Sequence, residues 1–179
     1  MNDRLKTGDV ARDFKYLTPW EDDLKFFDEI ENKKIILIFL RYIGCPVCRV
    51  EMANLKKNID LIESNDVSLF VVLQSTQENV LAVANKEDWK FTIVCDPDAE
   101  IFKLYNVDRG NLFRYLHPSG LKAAYKAVVS GYKHGKFEGI ETQLPATFVI
   151  SPDKTVNYAH YGKVINDVPS IDFLISKME

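Results

Sequence analysis

The stretch from residue 35 to residue 48 constrains the fold most, because an apolar run leads directly into a helix start. Ile35–Leu40 is uninterrupted by any polar residue, a pattern typical of a strand buried on both faces of a sheet. Gly44 then breaks the run, and Pro46 suits the first turn of a helix because it has no N–H group to leave unpaired. Apolar residues recur at helical spacing from there to Ile62. The sequence therefore predicts an α/β fold.

Two cysteines, Cys45 and Cys48, lie where this strand gives way to the helix. The free N–H groups and the positive dipole end of a helix start favour a thiolate, which is the reactive form. Residues three apart share a helix face, so a small adjustment could bridge the two sulfurs. Periodicity directs Cys48 toward the core, and we expect Cys45 to be the more exposed thiol. This asymmetry predicts an attacking and a resolving thiol.

Arg41 and Arg49 flank the cysteine pair and are candidates for positioning a substrate. A nearby cation lowers a thiol pKa from its reference of about 8.5. Arg41 ends the predicted strand, and strand ends in α/β sheets point at sites. Solvated surface charge is the alternative interpretation of each arginine.

Two other interpretations of the cysteine pair compete with redox chemistry. A C-x-x-C pair is half of a zinc site, but no second pair or suitably spaced histidines follow, so we predict no metal. Two inert buried thiols are a second alternative. Cys95 ends another predicted strand, and we interpret it as a buried bystander, with a regulatory or resolving thiol as the alternative.

Composition excludes several classes of protein. The 179 residues, 46% hydrophobic and 27% charged, predict a single domain over residues 1–179. A net charge of −3 offers no basic field for nucleic acid. The charged amino terminus has no apolar segment of the kind found in secretory signals, and no apolar run is long enough to span a membrane. We therefore expect a cytoplasmic protein without membrane partners, where a C-x-x-C pair is typical of redox chemistry.

The remaining chain continues the α/β alternation. A short extended segment and an amphipathic helix over residues 22–30 precede the first long strand, and further strands are predicted at residues 67–73 and 91–95. Asp98 is the predicted cap of the helix after the latter strand. Strands at residues 146–150 and 155–159 form a predicted hairpin through a turn at residues 151–154, and residues 170–177 form the closing helix.

Residues 108–143 depart from this alternation. They contain an amphipathic helix whose large apolar residues recur at helical spacing, namely Leu121, Ala124, Tyr125, Val128, Val129 and Tyr132. We expect this face to pack on the sheet, with a pocket wall or a subunit interface as the alternatives.

With these motifs in view, the sequence resembles the thioredoxin-like superfamily and, within it, the peroxiredoxin-like branch that includes alkyl hydroperoxide reductase and thiol-specific antioxidant proteins. The similar segments are Gly8–Leu17, the active-site segment Phe39–Arg49 with its CPVC motif, and Gln143–Ile150 with Tyr158–His160. The resemblance implies a thioredoxin-like fold with a central mixed sheet flanked by helices, an N-terminal extension and a helical insertion. It also implies that Pro145 is the cis proline that approaches the thiols and positions substrate.

The chain departs from the peroxiredoxin pattern P-x-x-x-T-x-x-C at two places. Arg41 stands at the proline and Cys45 at the threonine, whereas Cys48 stands at the peroxide-attacking cysteine. The late arginine of that family has no evident counterpart in the sequence. These departures favour disulfide exchange over peroxide reduction.

Together, the residues and the resemblance predict a thiol-disulfide oxidoreductase that cycles Cys45 and Cys48 between dithiol and disulfide. In one cycle Cys45 attacks a protein disulfide and Cys48 resolves it. In the other, Cys48 attacks a hydroperoxide and Cys45 condenses with the sulfenic acid. Neither cycle needs a cofactor, and the expected partners are a reductant such as a thioredoxin or a small thiol, with a homodimer as a further option. The alternative function is a non-enzymatic redox-sensing or binding module.

Overall fold

The computed structural model describes residues 3–30 and 32–178 of the chain. A five-stranded mixed sheet in the order β5-β4-β3-β6-β7 forms its centre, and a two-stranded sheet lies near the amino terminus. The strands are β1 (Lys15–Tyr16), β2 (Leu24–Lys25), β3 (Lys34–Leu40), β4 (Val67–Leu73), β5 (Thr92–Cys95), β6 (Ala146–Ile150) and β7 (Val156–Tyr161). The helices are α1 (Phe26–Glu29), α2 (Pro46–Lys57), α3 (Ile59–Ser64), α4 (Gln77–Leu81), α5 (Glu100–Leu104), α6 (Leu112–Tyr115), α7 (Pro118–Val129) and α8 (Ile171–Ile175), with a 3-10 turn at Lys86–Asp88.

The apolar run predicted as a buried strand is β3, at the centre of the main sheet. It pairs in parallel with β4 and antiparallel with β6. Ile36 and Ile38 contribute to the core on the side of α2, whereas Leu37 and Phe39 contribute to the core on the opposite side. Continuous apolar sequence is required because both faces are covered. The predicted α/β class and mixed sheet are confirmed.

The N-terminal segment differs from its prediction. Only Phe26–Glu29 is helical within the predicted helix of residues 22–30. Leu24–Lys25 instead pairs with β1, and Asp23 before it has a left-handed backbone (φ 56°) that interrupts a helix. Phe26 and Ile30 are nevertheless fully buried, so the apolar spacing identified the core positions although the element was shorter.

The cap predicted for α5 was placed two residues too late. Asp96, not Asp98, accepts hydrogen bonds from the N–H groups of Glu100 (2.8 Å), Ile101 (2.9 Å) and Phe102 (3.1 Å). Ala99, with a left-handed backbone (φ 56°), stands at the residue before the helix. This turn folds the chain back so that the buried Asp96 carboxylate faces the helix start.

The expectation of a cis peptide bond at Pro145 is wrong, since no peptide bond within the described residues is cis. Pro145 is buried at the entrance to β6, and its carbonyl accepts a hydrogen bond from Gly162 N–H (2.9 Å). Leu144 N–H donates to the carbonyl of Asp108 (3.3 Å). The chain thus enters β6 through extended backbone that neighbouring segments hold on both sides.

The expected packing of the large apolar face of α7 on the sheet is also wrong. The residues of α7 that are buried are Gly120 and Ala127, and the helix packs on α2. Leu121, Tyr125, Val128 and Val129 are exposed. Small residues allow a close approach of two helices, so the face with the small side chains took the inward position. None of the helices in the described part of the chain is long and apolar enough to cross a membrane.

Candidate functional site

Both cysteines lie where β3 gives way to α2, as the sequence predicted, with Cys45 before the helix and Cys48 in its first turn. Cys45 is the residue before the first turn of α2, and its sulfur accepts a hydrogen bond from Cys48 N–H (3.3 Å). Its carbonyl accepts from Arg49 N–H (3.0 Å), which begins the helical pattern. Pro46 occupies the first helical position. The two thiols therefore share one helical turn, and both are free.

The expected exposure of Cys45 is wrong, because the side chain has no solvent-accessible surface. A segment that we call the cover loop, residues 134–143, lies over the turn. Gly135 N–H donates to Gly44 O (2.8 Å), and a Cβ atom built on Gly44 would lie 2.4 Å from the carbonyl oxygen of Lys136. The backbones meet so closely that only glycine fits at position 44 without displacement. Cys45 is buried by a part of the chain ninety residues away in sequence.

Arg41 connects the cover loop to the cysteine pair. Its guanidinium is buried, with Nη2 donating to Cys45 Sγ (2.8 Å) and Nη1 donating to the backbone carbonyl of Glu141 (2.6 Å). The Glu141 carboxylate lies 3.4 Å from Nη1 and also accepts a hydrogen bond from the Tyr42 hydroxyl. The positive charge that the sequence suggested near the thiols is therefore present, and it comes from the end of β3.

The two thiols differ in acidity. Burial opposes ionisation of Cys48, yet the hydrogen bond from Cys45, the charge of Arg41, and the backbone N–H groups of Arg41 and Tyr42 together lower its pKa to about 6. Burial and the proximity of Cys48 raise the pKa of Cys45 well above its ordinary value, despite Arg41. Of the two thiols, Cys48 is therefore the one that ionises more readily, and Cys45 holds its proton more strongly.

Cys48 also lines a groove of about 340 Å³ between α2, α7 and the segment after β7. The groove is lined by Leu40, Val47, Val50, Glu51, Ser119, Lys122, Ala123, Lys126, Ile165, Asn166 and Val168. Its wall is mostly apolar, with two lysines from α7. Burial, and then the negative charge of Cys48, raise the pKa of the Glu51 carboxyl one turn further along α2. A small molecule that enters this groove meets Cys48.

The other predicted site residues lie elsewhere. Arg49 lines a separate pocket beside Tyr132, with its guanidinium carbon 5.5 Å from the centre of that ring. Cys95 is buried at the end of β5, and burial raises its pKa to about 12. Among the residues that the structure describes, no three His, Cys, Asp or Glu side chains form a group that could hold a metal ion.

Sequence reasoning missed three residues of this site. Glu51 follows Cys48 by three positions on one helix, so helical spacing alone could have identified it. Tyr42 and Glu141 had no such signal, because their contact joins residues 99 positions apart. Only the folded chain brings the cover loop to the cysteines.

The fold and this site can be compared with known proteins. Residues 7–159 match the family model described as the AhpC/TSA family, which is most of the chain. The chain belongs to the AhpC/TSA family. The resemblance carried by Gly8–Leu17 and the active-site segment is thereby confirmed.

Individual relatives of this AhpC/TSA chain are distant. Peroxiredoxin-like 2C of Mus musculus is 22% identical over 142 residues, which cover 72% of this chain and 61% of that protein. The chain thus matches less than two thirds of the length of that curated relative. Among solved structures, peroxidoxin BcpB from Mycobacterium tuberculosis has a TM-score of 0.67 at 15% identity, covering 97% of this chain and 96% of that one. A peroxiredoxin-like protein from Aquifex aeolicus has a TM-score of 0.70 at 18% identity, covering 98% and 87%. These structures establish the shared fold.

Proposed function

We propose that this AhpC/TSA protein is a thiol peroxidase in which Cys48 attacks a hydroperoxide and Cys45 resolves the product. The observation that carries the proposal is the difference in acidity and access between the two thiols. Cys48 is the more acidic and lines an open groove, whereas Cys45 is enclosed beneath the cover loop. The names of its relatives, which include peroxiredoxin-like proteins and a peroxidoxin, support the same chemistry.

The proposed cycle has three steps. The Cys48 thiolate attacks one oxygen of the O–O bond, becomes a sulfenic acid and releases an alkoxide or hydroxide that takes a proton from solvent. The Cys45 thiol then displaces water from the sulfenic acid and forms the Cys45–Cys48 disulfide. Two electrons and two protons from an external thiol reductant, a small thiol or a thioredoxin, restore the pair. The cysteine pair carries the electrons, so the cycle uses no prosthetic group.

This order differs from the one that exposure suggested from the sequence. Attack by Cys45 rested partly on its expected accessibility and partly on the departures from the peroxiredoxin pattern, and the burial of Cys45 removes the first of these arguments. Cys48 is itself only 3% exposed, which favours a small oxidant over a folded protein disulfide. The cytoplasmic location predicted from the sequence belongs to this proposal, because a reducing compartment supplies the thiol reductant.

Arg41 has a positioning role in this proposal. Its guanidinium stabilises the anionic state of the pair and holds Cys45 in place through the 2.8 Å hydrogen bond. Arg49 and Pro145 were predicted as further positioning residues, and we retain them as candidates for binding a larger substrate or the reductant. The Arg49 guanidinium reaches the surface beside Tyr132, away from the groove.

The test is oxidation of the reduced protein by a small excess of hydrogen peroxide, followed by intact mass and mapping of the modified cysteine. The unaltered protein is expected to lose two hydrogens as the disulfide forms. Cys45→Ser is expected to gain one oxygen on Cys48, and Cys48→Ser is expected to react many-fold more slowly. Cys95→Ser is the matched control and is expected to behave as the unaltered protein.

Two other results would replace the proposal. If Cys48→Ser oxidises at the original rate, with the oxygen on Cys45, the assigned order is wrong. If the Cys45→Ser protein forms a mixed disulfide with oxidised glutathione far faster than it reacts with peroxide, disulfide exchange is the better function. A pair that oxidises but never turns over with any thiol reductant would indicate the redox-sensing module.

A further inference from the structure

Helix α7 leaves its large apolar side chains uncovered. Leu121, Tyr125, Val128 and Val129, which we call the α7 face, are 50%, 73%, 57% and 68% exposed. They follow helical spacing and so form one continuous stripe. The opposite side of the helix packs on α2 through small residues. An apolar stripe of this size on a folded surface indicates a binding surface.

Exposed apolar residues concentrate around this helix. Twelve large apolar side chains are exposed in the described part of the chain, and seven of them lie between residues 113 and 137. Besides the α7 face they are Phe113, Leu116 and Phe137. The distribution is too uneven for the scattered apolar residues that every surface carries.

The same segment has a distinct charge. Residues 109–137 contain six arginines and lysines and no aspartate or glutamate. The remainder of the chain then has 17 basic and 26 acidic residues, a formal charge of −9 against +6 for the segment. A surface that attracts anions therefore coincides with the exposed apolar residues.

The lysines are placed beside the apolar stripe. Lys122 and Lys126 each follow a residue of the α7 face, about 100° further round the helix, and both reach the rim of the groove that holds Cys48. A helix with an apolar face, bordered by lysines, is the pattern of helices that lie in the interface of a bilayer.

We propose that the α7 face binds the surface of an anionic lipid bilayer, with its apolar side chains in the headgroup region and the lysines on the lipid phosphates. Charge complementarity carries the choice of partner, because the segment is cationic while the rest of the protein is anionic and would be repelled. A bilayer also accommodates protruding side chains without a matching cavity. The sequence predicted no membrane partner because it has no long apolar run, but that absence excludes only a segment that spans the bilayer.

The proposal does not depend on the proposed peroxidase cycle, and its test measures binding. The full chain is mixed with vesicles of phosphatidylcholine and phosphatidylserine, or of phosphatidylcholine alone, and sedimented at two salt concentrations. We expect binding to the anionic vesicles, weakened by salt. Removing a lysine charge near such a surface weakens binding about fivefold, so Lys122→Gln with Lys126→Gln is expected to weaken it about 25-fold.

Matched variants separate the α7 face from general effects. Leu121→Asp is expected to abolish binding, whereas Leu81→Asp is not, although the two leucines are similarly exposed (50% and 47%). Lys15→Gln with Lys34→Gln makes the same charge change at exposed positions elsewhere and is expected to leave binding unchanged. Equal losses in the matched pairs, equal binding to both vesicle types, or no binding at all would overturn the proposal. So would a solution dimer that Leu121→Asp dissociates without any vesicle binding, which would assign the face to a contact between copies.

Discussion

Replacing Arg41 by methionine tests whether its charge sets the acidity of the cysteine pair. The difference between the reference thiol pKa of about 8.5 and about 6 for Cys48 corresponds to roughly 3 kcal/mol in favour of the thiolate. An opposite charge at this range lowers a pKa by about 1–3 pH units. Arg41→Met is therefore expected to raise the pKa of Cys48 to between about 7 and 9, since the hydrogen bonds from Cys45 and the backbone remain.

The assay is thiolate absorbance at 240 nm as a function of pH in the reduced protein. At pH 7 the thiolate fraction of Cys48 is expected to fall from about nine-tenths in the unaltered protein to between about a half and a hundredth in Arg41→Met. The rate of reaction with peroxide is expected to fall in proportion, because the thiolate is the reactive form. The pKa of Cys48 is lower in the folded protein than in the unfolded chain, so ionisation of Cys48 stabilises the fold at pH values above the unfolded pKa. This stabilisation is lost as the pH falls through about 6.

Two variants give this experiment its controls. Arg49→Met removes an equal charge one residue from Cys48 in sequence, but its guanidinium lies over Tyr132, so we expect the titration to stay near pH 6. Arg41→Lys keeps a charge and is expected to restore part of the acidity. An unchanged titration in Arg41→Met, or an equal change in Arg49→Met, would refute the assignment of Arg41.

Two further predictions concern the structure around the site. In Gly44→Ala the new Cβ would lie 2.4 Å from the carbonyl oxygen of Lys136 in the cover loop. We therefore expect a loss of about 1–3 kcal/mol in the free energy of unfolding by urea and faster alkylation of Cys45 by iodoacetamide. An unchanged unfolding midpoint together with an unchanged labelling rate would contradict the close contact. Asp96→Ala removes the carboxylate that caps α5 and is expected to lower the free energy of unfolding by about 1–2 kcal/mol. Asp98 is exposed, so Asp98→Ala is expected to change the free energy of unfolding little. A larger loss in Asp98→Ala than in Asp96→Ala would favour the cap that the sequence predicted.

Local sequence was sufficient to predict those strands and helices whose apolar pattern follows from which of their faces are buried. β3 is apolar from Ile35 onward and β4 is apolar apart from Ser68, because both faces of these strands are covered. The helix that begins within the CPVC motif follows from Pro46 and the helical spacing after it. Local sequence was not sufficient for α7, where two faces of the helix are apolar, one with small and one with large side chains. Periodicity locates such faces but does not decide which of them packs inward.

The candidate site divides along the same line. Its chemistry is local: Arg41 donates to Cys45, Cys45 donates to Cys48, and all three lie within eight consecutive residues of one strand-to-helix turn. The two departures from the peroxiredoxin pattern are therefore coupled, because the arginine at the proline position holds the thiol at the threonine position. Access is not local, since the cover loop that buries Cys45 meets the turn through Gly44, Arg41 and Tyr42 from about ninety to a hundred residues away. Residue types could therefore predict a reactive pair, but the order in which its members react depends on a contact that no spacing in the sequence encodes.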